Sequence, residues 1–251
     1  MPPKIAVQEV GMAGVHPGET PLARVGLLPG AINGVETNYY IQGAGGKHAV
    51  PAWPGRGQVF LFIAGVGEVR VGRRAYGFSE MAALYAPGNP PPVIESTSAP
   101  LEYLEILMDL HDHEAAQLRG ADPFFIRSSE CEAYAEAIKS PRTVSRTVVP
   151  SETVPRFCMG SVEAVGPDEV GAHSHPMLEQ LFFGLPGNVC VVTAEEAAVT
   201  LEARALLHIP RGSRHGVRVD QGHRMHYIWM DFFRTEEDMA YIQEQHKPIE
   251  K

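Results

Sequence analysis

Apolar residues along this chain occur in short runs rather than in long or helix-spaced stretches. The runs are rich in Val, Ile, Phe and Tyr, and Gly or Pro residues separate them at intervals of roughly ten residues. Clear examples lie at 59–64, 68–71, 101–108, 181–185, 189–193 and 226–233. Glycine (25) and proline (21) are also more frequent than the ~12% of residues that they usually make up together. This pattern predicts an all-β sandwich or barrel.

Two segments depart from the strand pattern and predict short helices. Residues 129–139 begin with a serine, carry Glu132 three residues later and stop before Pro141, which is a capping-box pattern followed by a helix breaker. Residues 235–246 begin with a threonine and carry Asp238 in the same relation. We therefore expect one linker helix and one C-terminal helix, both with a structural role.

The two halves of the sequence resemble each other. When Gln58 is laid on Gln180 the offset is 122 residues, and a second match further along has an offset of 123. The matched segments are 57–71 with 179–192, and 84–93 with 207–217. Two matches in the same order at nearly one offset indicate a tandem duplication. We expect a first barrel over 1–110, a helical linker over 111–145 and a second barrel over 146–251.

The second half contains a histidine pattern that is typical of a metal site. His173 and His175 are two residues apart, so a strand would place both imidazoles on one face. Pro210, Gly212 and His215 form a Pro-x-Gly-x-x-His sequence, in which a tight turn leads into another strand and returns a third imidazole about 40 residues later. Neutral imidazoles suit divalent first-row metals.

These motifs resemble the two sequence motifs of the cupin superfamily. The resemblance covers residues 166–232 well and reaches the first half through the repeat. It implies an all-β fold of two tandem cupin barrels of the jelly-roll type, with a short linker helix and a C-terminal helix. It also implies one divalent metal ion per chain, with Mn, Fe, Ni or Zn left open. The plan is similar to that of ureidoglycine aminohydrolase-type bicupins, although their ligand pattern differs.

The resemblance further implies an oxygen ligand from the strand that follows the histidine pair. Counting back from Gly187 gives Gln180, whereas counting forward from His175 gives Glu179. Adjacent residues of a strand face opposite sides, so one of the two points inward unless a bulge intervenes. The register from the glycine covers the longer stretch and favours Gln180, with Glu179 as the alternative ligand or as a group that supports the site.

The first half lacks the metal ligands. Under the repeat, Pro51 and Trp53 stand where the histidine pair stands, and Pro92 stands in place of His215. Gln58 is the one ligand position that keeps its residue type. We therefore expect the first barrel to bind no metal.

Other residues are weaker candidates for the site. In the last strand, His226 and Tyr227 face opposite sides, and whichever faces the pocket is a candidate acid or base. Glu163, Arg211 and Arg214 lie near the motifs and are candidates for binding the substrate, because a guanidinium orients a carboxylate well.

Composition excludes several classes of protein. The net charge of −9 and the pI near 5.6 argue against binding to nucleic acids or to anionic membranes. Three cysteines at scattered positions fit reduced thiols, and the N-terminal sequence has no apolar signal-peptide region, so we expect a cytoplasmic location. Edge strands and apolar sheet faces favour a homodimer.

The motifs lead to three hypotheses about function. The first is a metal-dependent enzyme with lyase or isomerase chemistry on a small polar hydroxy acid, keto acid or sugar acid. The second is a non-haem iron dioxygenase, and the third is a non-catalytic cupin that binds small molecules. Oxygen consumption separates the first two, and turnover of any substrate separates both from the third.

Overall fold

The computed structural model describes residues 5–11 and 22–245, with side chains up to residue 240. The described chain is built mostly of antiparallel strands and divides into two compact units. The first unit spans Val10–Glu130. The second joins an N-terminal strand, β1 (Ala6–Glu9), to the chain from Cys131 onward.

The first unit contains two antiparallel sheets. Its elements are β2 (Leu22–Leu27), β3 (Val35–Gln42), β4 (Lys47–Ala49), β5 (Arg56–Ala64), β6 (Gly67–Val71), β7 (Arg74–Phe78), β8 (Ala82–Ala86), β9 (Val93–Ser96), β10 (Leu101–Asp109), α1 (Asp112–Gln117), β11 (Phe124–Arg127) and a 3₁₀ turn (Ser128–Glu130). One sheet has the order β11-β8-β5-β10-β3-β2 and the other β4-β9-β6-β7.

The second unit repeats this architecture. Its further elements are β12 (Ala133–Tyr134), β13 (Val144–Val154), β14 (Phe157–Val165), β15 (Asp168–His173), β16 (Leu178–Gly184), β17 (Val189–Ala194), β18 (Ala197–Glu202), β19 (Ala205–Ile209), β20 (His215–Val219), β21 (Arg224–Phe233) and α2 (Glu236–Gln245). The sheets have the orders β1-β19-β16-β21-β14-β13-β12 and β15-β20-β17-β18.

Strand order confirms the predicted duplication. The nine strands β2–β10 of the first unit correspond one to one, in chain order, to the nine strands β13–β21 of the second. Corresponding strands have corresponding neighbours in the sheets of the two units. The edge next to β8 is covered by β11, and the corresponding edge next to β19 is covered by β1. Each unit is thus a two-sheet barrel of the jelly-roll type, with an added strand on the same edge.

Alternation along the strands fills each barrel. Phe60 and Phe62 of β5 point into the first barrel with Tyr103 of β10, and all three are almost completely buried. Phe182 and Tyr227 pack together inside the second barrel with ring centroids 4.9 Å apart. Burying each large apolar side chain contributes about 1.5–3 kcal/mol to folding.

The structure confirms the predicted C-terminal helix, which is α2. It begins after Thr235, whose hydroxyl accepts a hydrogen bond from the Asp238 backbone N–H at 3.1 Å. The expected last residue of this helix, His246, lies outside the described residues. The two helices of the described chain are both too short or too polar to cross a membrane.

The linker contains a short helix, but at α1 rather than at residues 129–139. That segment instead forms the end of the 3₁₀ turn, strand β12 and an irregular stretch. Its backbone pairs with other strands: the Gly171 N–H donates to the Ile138 carbonyl at 2.7 Å, and Lys139 forms a bridge with Val170. Tertiary pairing therefore overrides the local helix signal.

The structure also corrects the boundaries of the predicted domains. Strand β1 was expected within a first barrel over 1–110, yet it pairs with β19 of the second unit. The expected linker over 111–145 is divided, since α1 and β11 belong to the first unit and β12 belongs to the second. Pairing between residues about 200 positions apart leaves no local signal in the sequence.

Candidate metal centre and its cavity

Three histidines meet at one end of the second barrel. His173 ends β15 and His215 begins β20, and the two residues lie directly opposite each other in the antiparallel ladder. Their ring centroids are 4.5 Å apart, and His175 lies 4.8 Å from the first ring and 5.7 Å from the second. One nitrogen from each ring falls within 4.8 Å of the others, a cluster that can hold a metal ion.

The turn before β20 ties the two histidine motifs together. The Gly212 N–H donates to the His175 carbonyl at 3.1 Å, and the Ser213 N–H donates to the Pro210 carbonyl at 3.1 Å. Gly212 has φ of 75°, in the left-handed region that favours glycine. The Pro-x-Gly-x-x-His sequence therefore provides the turn that brings His215 beside the histidine pair.

Backbone carbonyls orient two of the imidazoles. The Nδ1 atom of His173 lies 2.8 Å from the Gly171 carbonyl oxygen, and the Nδ1 atom of His215 lies 3.0 Å from the Ser213 carbonyl oxygen. A carbonyl accepts only a protonated nitrogen, so Nδ1 carries the hydrogen and Nε2 keeps its lone pair. This tautomer leaves Nε2 able to ligate a metal ion.

His215 has a buried nitrogen that is not satisfied by the protein. Its side chain is 2% exposed, and its Nε2 atom has no hydrogen-bond partner. Burial lowers the pKa of His215 to about 4; the hydrogen bond to Ser213 opposes this shift, and the electrostatic interaction with nearby His173 adds to it. The ring is therefore neutral near pH 7, with a lone pair directed at a place where a cation fits.

Gln180 and Glu179 face opposite sides of β16. Gln180 lines the cavity beside the three histidines; its Nε2 donates to Asp231 Oδ1 at 2.8 Å, and its Oε1 is buried without a partner. The Glu179 carboxylate lies 2.6 Å from the Nε2 atom of His208 and is not among the residues that line the cavity. The Gln180 carbonyl oxygen and the His215 Nε2 atom are thus both buried without a partner in residues that line one cavity, which makes Gln180 the candidate for the fourth ligand.

The cavity at this site has a volume of about 740 Å³, which is enough for a small metabolite. Besides the histidines, its walls include parts of β14, β21 and the segment 132–139, which we call the strap. Lys139 of the strap is 7% exposed and forms an ion pair with Glu136. It also donates to the Ser145 hydroxyl at 2.9 Å and lies 5.4 Å from the centre of the Tyr134 ring.

The last strand places one of its two predicted acid–base candidates in the cavity. Tyr227 lines the cavity, and burial raises its pKa well above its ordinary value, so its phenol keeps its proton. His226 lies on the other face of β21, opposite Glu163 in the ladder, and neither residue lines the cavity. His226 was expected as a candidate acid or base, but side chains alternate along a strand, and His226 lies on the face of β21 that is turned away from the cavity.

The predicted substrate-binding residues also lie outside the cavity. Arg211 and Arg214 are exposed, on either side of the turn glycine, and neither lines the cavity. Glu163 instead accepts a hydrogen bond from Arg224 at 2.5 Å. The structure therefore brings together the metal-ligand candidates and does not bring the predicted substrate-binding residues to them.

Sequence reasoning missed the polar residues of the cavity wall. Asp231 and Trp229 share a face of β21 with Tyr227, so strand alternation is a signal that could have found them. Glu136 and Lys139 had no comparable signal, because their segment was expected to be a helix. Cys158 was likewise missed; it lies opposite Asp231 in the ladder and also lines the cavity.

The first barrel has no equivalent histidine cluster in its described residues. Gln58 is 1% exposed and donates to Glu105 at 2.8 Å. The same carboxylate accepts hydrogen bonds from Asn38 at 3.2 Å and from the Tyr40 hydroxyl at 3.0 Å. In the described part of the first barrel, a hydrogen-bonded polar cluster therefore surrounds the position that corresponds to Gln180.

Comparison with known proteins supports the cupin assignment at the level of the fold. No family model and no curated protein matches the sequence. A cupin 2 conserved barrel domain protein from Leptotrichia buccalis superposes with a TM-score of 0.60 at 12% identity, over 91% of this chain and 96% of that one. Protein Ylba from E. coli gives 0.69 at 13% identity, over 91% and 90%.

An oxalate decarboxylase from Bacillus subtilis, a protein with Mn(II) centres, gives a TM-score of 0.65 at 12% identity, over 92% of this chain and 77% of that one. At these identities the likeness shows the fold alone. The chain has the fold of a bicupin, with two jelly-roll barrels in tandem.

Proposed function

We propose that this protein is a metal-dependent bicupin enzyme that holds one divalent ion per chain in its second barrel. The ligands are His173, His175, His215 and Gln180. The observation that carries the proposal is the pair of bare buried atoms, His215 Nε2 and Gln180 Oε1, on the wall of one cavity. Buried polar atoms are nearly always satisfied, and a cation satisfies both of these.

The donor set determines the charge at this site. All four ligands are neutral, so a divalent ion keeps its full charge and acts as a strong Lewis acid toward a substrate oxygen. Imidazole donors suit Fe, Ni and Zn, and carbonyl oxygens suit Mn, so this donor set is compatible with each of these metals. The substrate class that we propose is a small polar hydroxy acid, keto acid or sugar acid, with lyase or isomerase chemistry.

The strap supplies the charged groups that would meet such a substrate. Lys139 is the one cationic side chain among the described residues of the cavity wall, apart from the histidines, and we assign it to the substrate carboxylate. Glu136, its ion-pair partner, is the carboxylate that we assign to proton transfer. Asp231 is already engaged with Gln180.

The test begins with metal content. The purified protein is stripped with a chelator, reloaded with Mn, Fe, Ni or Zn separately, and analysed for bound metal and for turnover of hydroxy and keto acids. We expect one ion per chain and activity with at least one metal. His173→Ala, His175→Ala and His215→Ala should each lose the ion and keep the circular dichroism spectrum of the wild type.

Three outcomes redirect or overturn the proposal. Oxygen consumption during turnover would replace it with a non-haem iron dioxygenase. Binding of small acids without turnover under any metal would favour a non-catalytic cupin. Full metal content in all three histidine variants would remove the metal site itself.

A further inference from the structure

We propose that Asp231 is a positioning residue for the metal site. It holds the Gln180 amide with its oxygen toward the ion, and it explains why the fourth ligand is an amide rather than a carboxylate. This inference rests on the proposed function, because it concerns the same ion.

The two side chains are direct partners across the sheet. Gln180 of β16 and Asp231 of β21 are opposite each other in the antiparallel ladder, so they project from the same face. The side chains are 5% and 8% exposed, and Gln180 Nε2 donates to Asp231 Oδ1 at 2.8 Å. The bond is short, buried and charge-assisted, which makes it one of the stronger types of hydrogen bond.

The carboxylate selects one of two amide orientations. A glutamine amide can rotate by half a turn and exchange its oxygen and nitrogen. With the oxygen toward Asp231, two acceptors would meet in a buried place, and the NH₂ group would point at the ion. With the nitrogen toward Asp231, the carbonyl oxygen points away from the carboxylate and is left without a partner in the protein, as observed. Only the second orientation offers the ion a lone pair.

The same contact disfavours a glutamate at position 180. Two carboxylates at hydrogen-bond distance repel each other strongly when both are buried. Gln180 avoids this repulsion and gives Asp231 a donor. The negative charge of Asp231 then lies one side chain away from the ion instead of on a ligand.

The first barrel provides an internal comparison. There the corresponding Gln58 donates through Nε2 to a buried carboxylate, Glu105, at 2.8 Å, and its Oε1 is likewise buried without a partner. No histidine cluster accompanies that pair in the described part of the chain. A variant at Glu105 therefore tests whether loss of a buried glutamine–carboxylate bond disturbs the protein in general.

The experiment measures the affinity of the metal-free protein for Mn(II) and Co(II) by calorimetry, with the absorption spectrum of bound Co(II) as a report on ligand geometry. Asp231→Leu removes the acceptor, and we expect the affinity to fall about 10- to 100-fold, with an altered Co(II) spectrum. Asp231→Asn keeps an oxygen acceptor for the Gln180 amide. We therefore expect the metal affinity of this variant to fall by no more than about threefold to tenfold relative to the wild type. The control variant Glu105→Leu removes the corresponding acceptor in the first barrel and should leave affinity and spectrum unchanged.

A reciprocal exchange guards against misfolding of the leucine variant. The double variant Gln180→Glu with Asp231→Asn restores the bond with donor and acceptor reversed, and it should bind metal at least tenfold more tightly than Asp231→Leu. The positioning role is overturned if Asp231→Leu binds metal with wild-type affinity, or if the double variant binds metal no more tightly than Asp231→Leu. Either result would leave the proposed metal site itself unaffected. A wild-type protein that binds neither metal overturns the proposed function and this inference together.

Discussion

Glu179 and Gln180 are consecutive residues of one strand, yet their side chains serve opposite faces of the barrel wall. The glutamate lies 2.6 Å from His208, whereas the glutamine reaches into the cavity and bonds to Asp231 at 2.8 Å. Strand β16 has no bulge at this point, and its register against β19 and β21 is regular. The pleat of the strand alone therefore determines which of the two oxygen donors faces the histidines.

This separation gives a direct pair of variants. Gln180→Ala should lower metal affinity at least about 100-fold, because it removes one of four protein ligands, and activity should fall with it. Glu179→Ala should keep full metal content and lose about 1 kcal/mol of stability, because it breaks the bond to His208. Elemental analysis and thermal unfolding measure the two effects. Loss of metal in Glu179→Ala alone would reverse the assignment of the ligand.

The stoichiometry of metal binding tests the difference between the two barrels. We expect one ion per chain, because the described part of the first barrel has no histidine cluster and Gln58 bonds to Glu105. Gln58→Ala should therefore leave the metal content unchanged, while Gln180→Ala lowers it. Two ions per chain in the wild type, one of them lost in Gln58→Ala, would contradict this expectation.

Local sequence patterns predicted the parts of the fold that depend on local rules. The duplication, the strands and the opposition of Glu179 and Gln180 follow from alternation and from turn residues such as Gly212, and the structure agrees with all of them. The histidine triad was predicted from the spacing of its motifs, and the structure shows that the turn at Gly212 leads into β20, which pairs with β15.

Long-range pairing produced the parts that could not be predicted. Strand β1 joins β19 through the backbone, and the strap pairs with β13 and β15 although its sequence resembles a helix start. The placement of Lys139 and Glu136 in the cavity depends on that pairing. Asp231 is an intermediate case, since alternation places it on the same face as Tyr227, whereas its bond to Gln180 depends on the register between β16 and β21.

His48 of the first barrel should make the stability of the folded protein sensitive to acid. Burial lowers the pKa of this histidine below its ordinary value of 6.5, an effect that the Glu105 carboxylate partly opposes. Its ring also lies against Tyr40, and its Nδ1 atom lies 2.6 Å from the Tyr103 hydroxyl. The unfolded chain therefore binds a proton at a higher pH than the folded chain does, so stability should fall as the pH drops below about 6.5.

Urea unfolding of the metal-free protein between pH 7.5 and pH 5 checks this prediction. Metal-free protein is used because protons and a metal ion would otherwise compete for the histidine ligands and add a second pH effect. His48→Gln should show a shallower decline of the free energy of unfolding than the wild type. Equal slopes in the two proteins would assign the acid sensitivity to other groups.

Association of the chain remains a prediction. In the described chain the larger sheets end in β1 and β12 and in β11 and β2, and unpaired strand edges are commonly covered by association. We expect a homodimer, the commonest symmetric assembly. Analytical ultracentrifugation at micromolar concentration measures this directly, and a monomer there would remove the prediction.

Lys139 gives the sharpest test of the proposed substrate class. Its ammonium is the one non-histidine cation of the described cavity wall, and Glu136 and Ser145 hold it in place. If the substrate is an acid, Lys139→Met should weaken binding of glycolate to the metal-loaded protein about tenfold, which is the loss of one charge-assisted contact. Glu136→Gln is the matched variant, since it leaves the ammonium and removes its competitor, so glycolate should bind at least as tightly as in the wild type. Both variants should keep one ion per chain, because neither residue is a ligand.

Calorimetry with glycolate, and with ethylene glycol as the uncharged comparison, separates the charge effect from metal chelation by a hydroxyl group. If Lys139→Met binds glycolate as the wild type does, the strap does not recognise a carboxylate, and the substrate class would have to be sought among uncharged compounds.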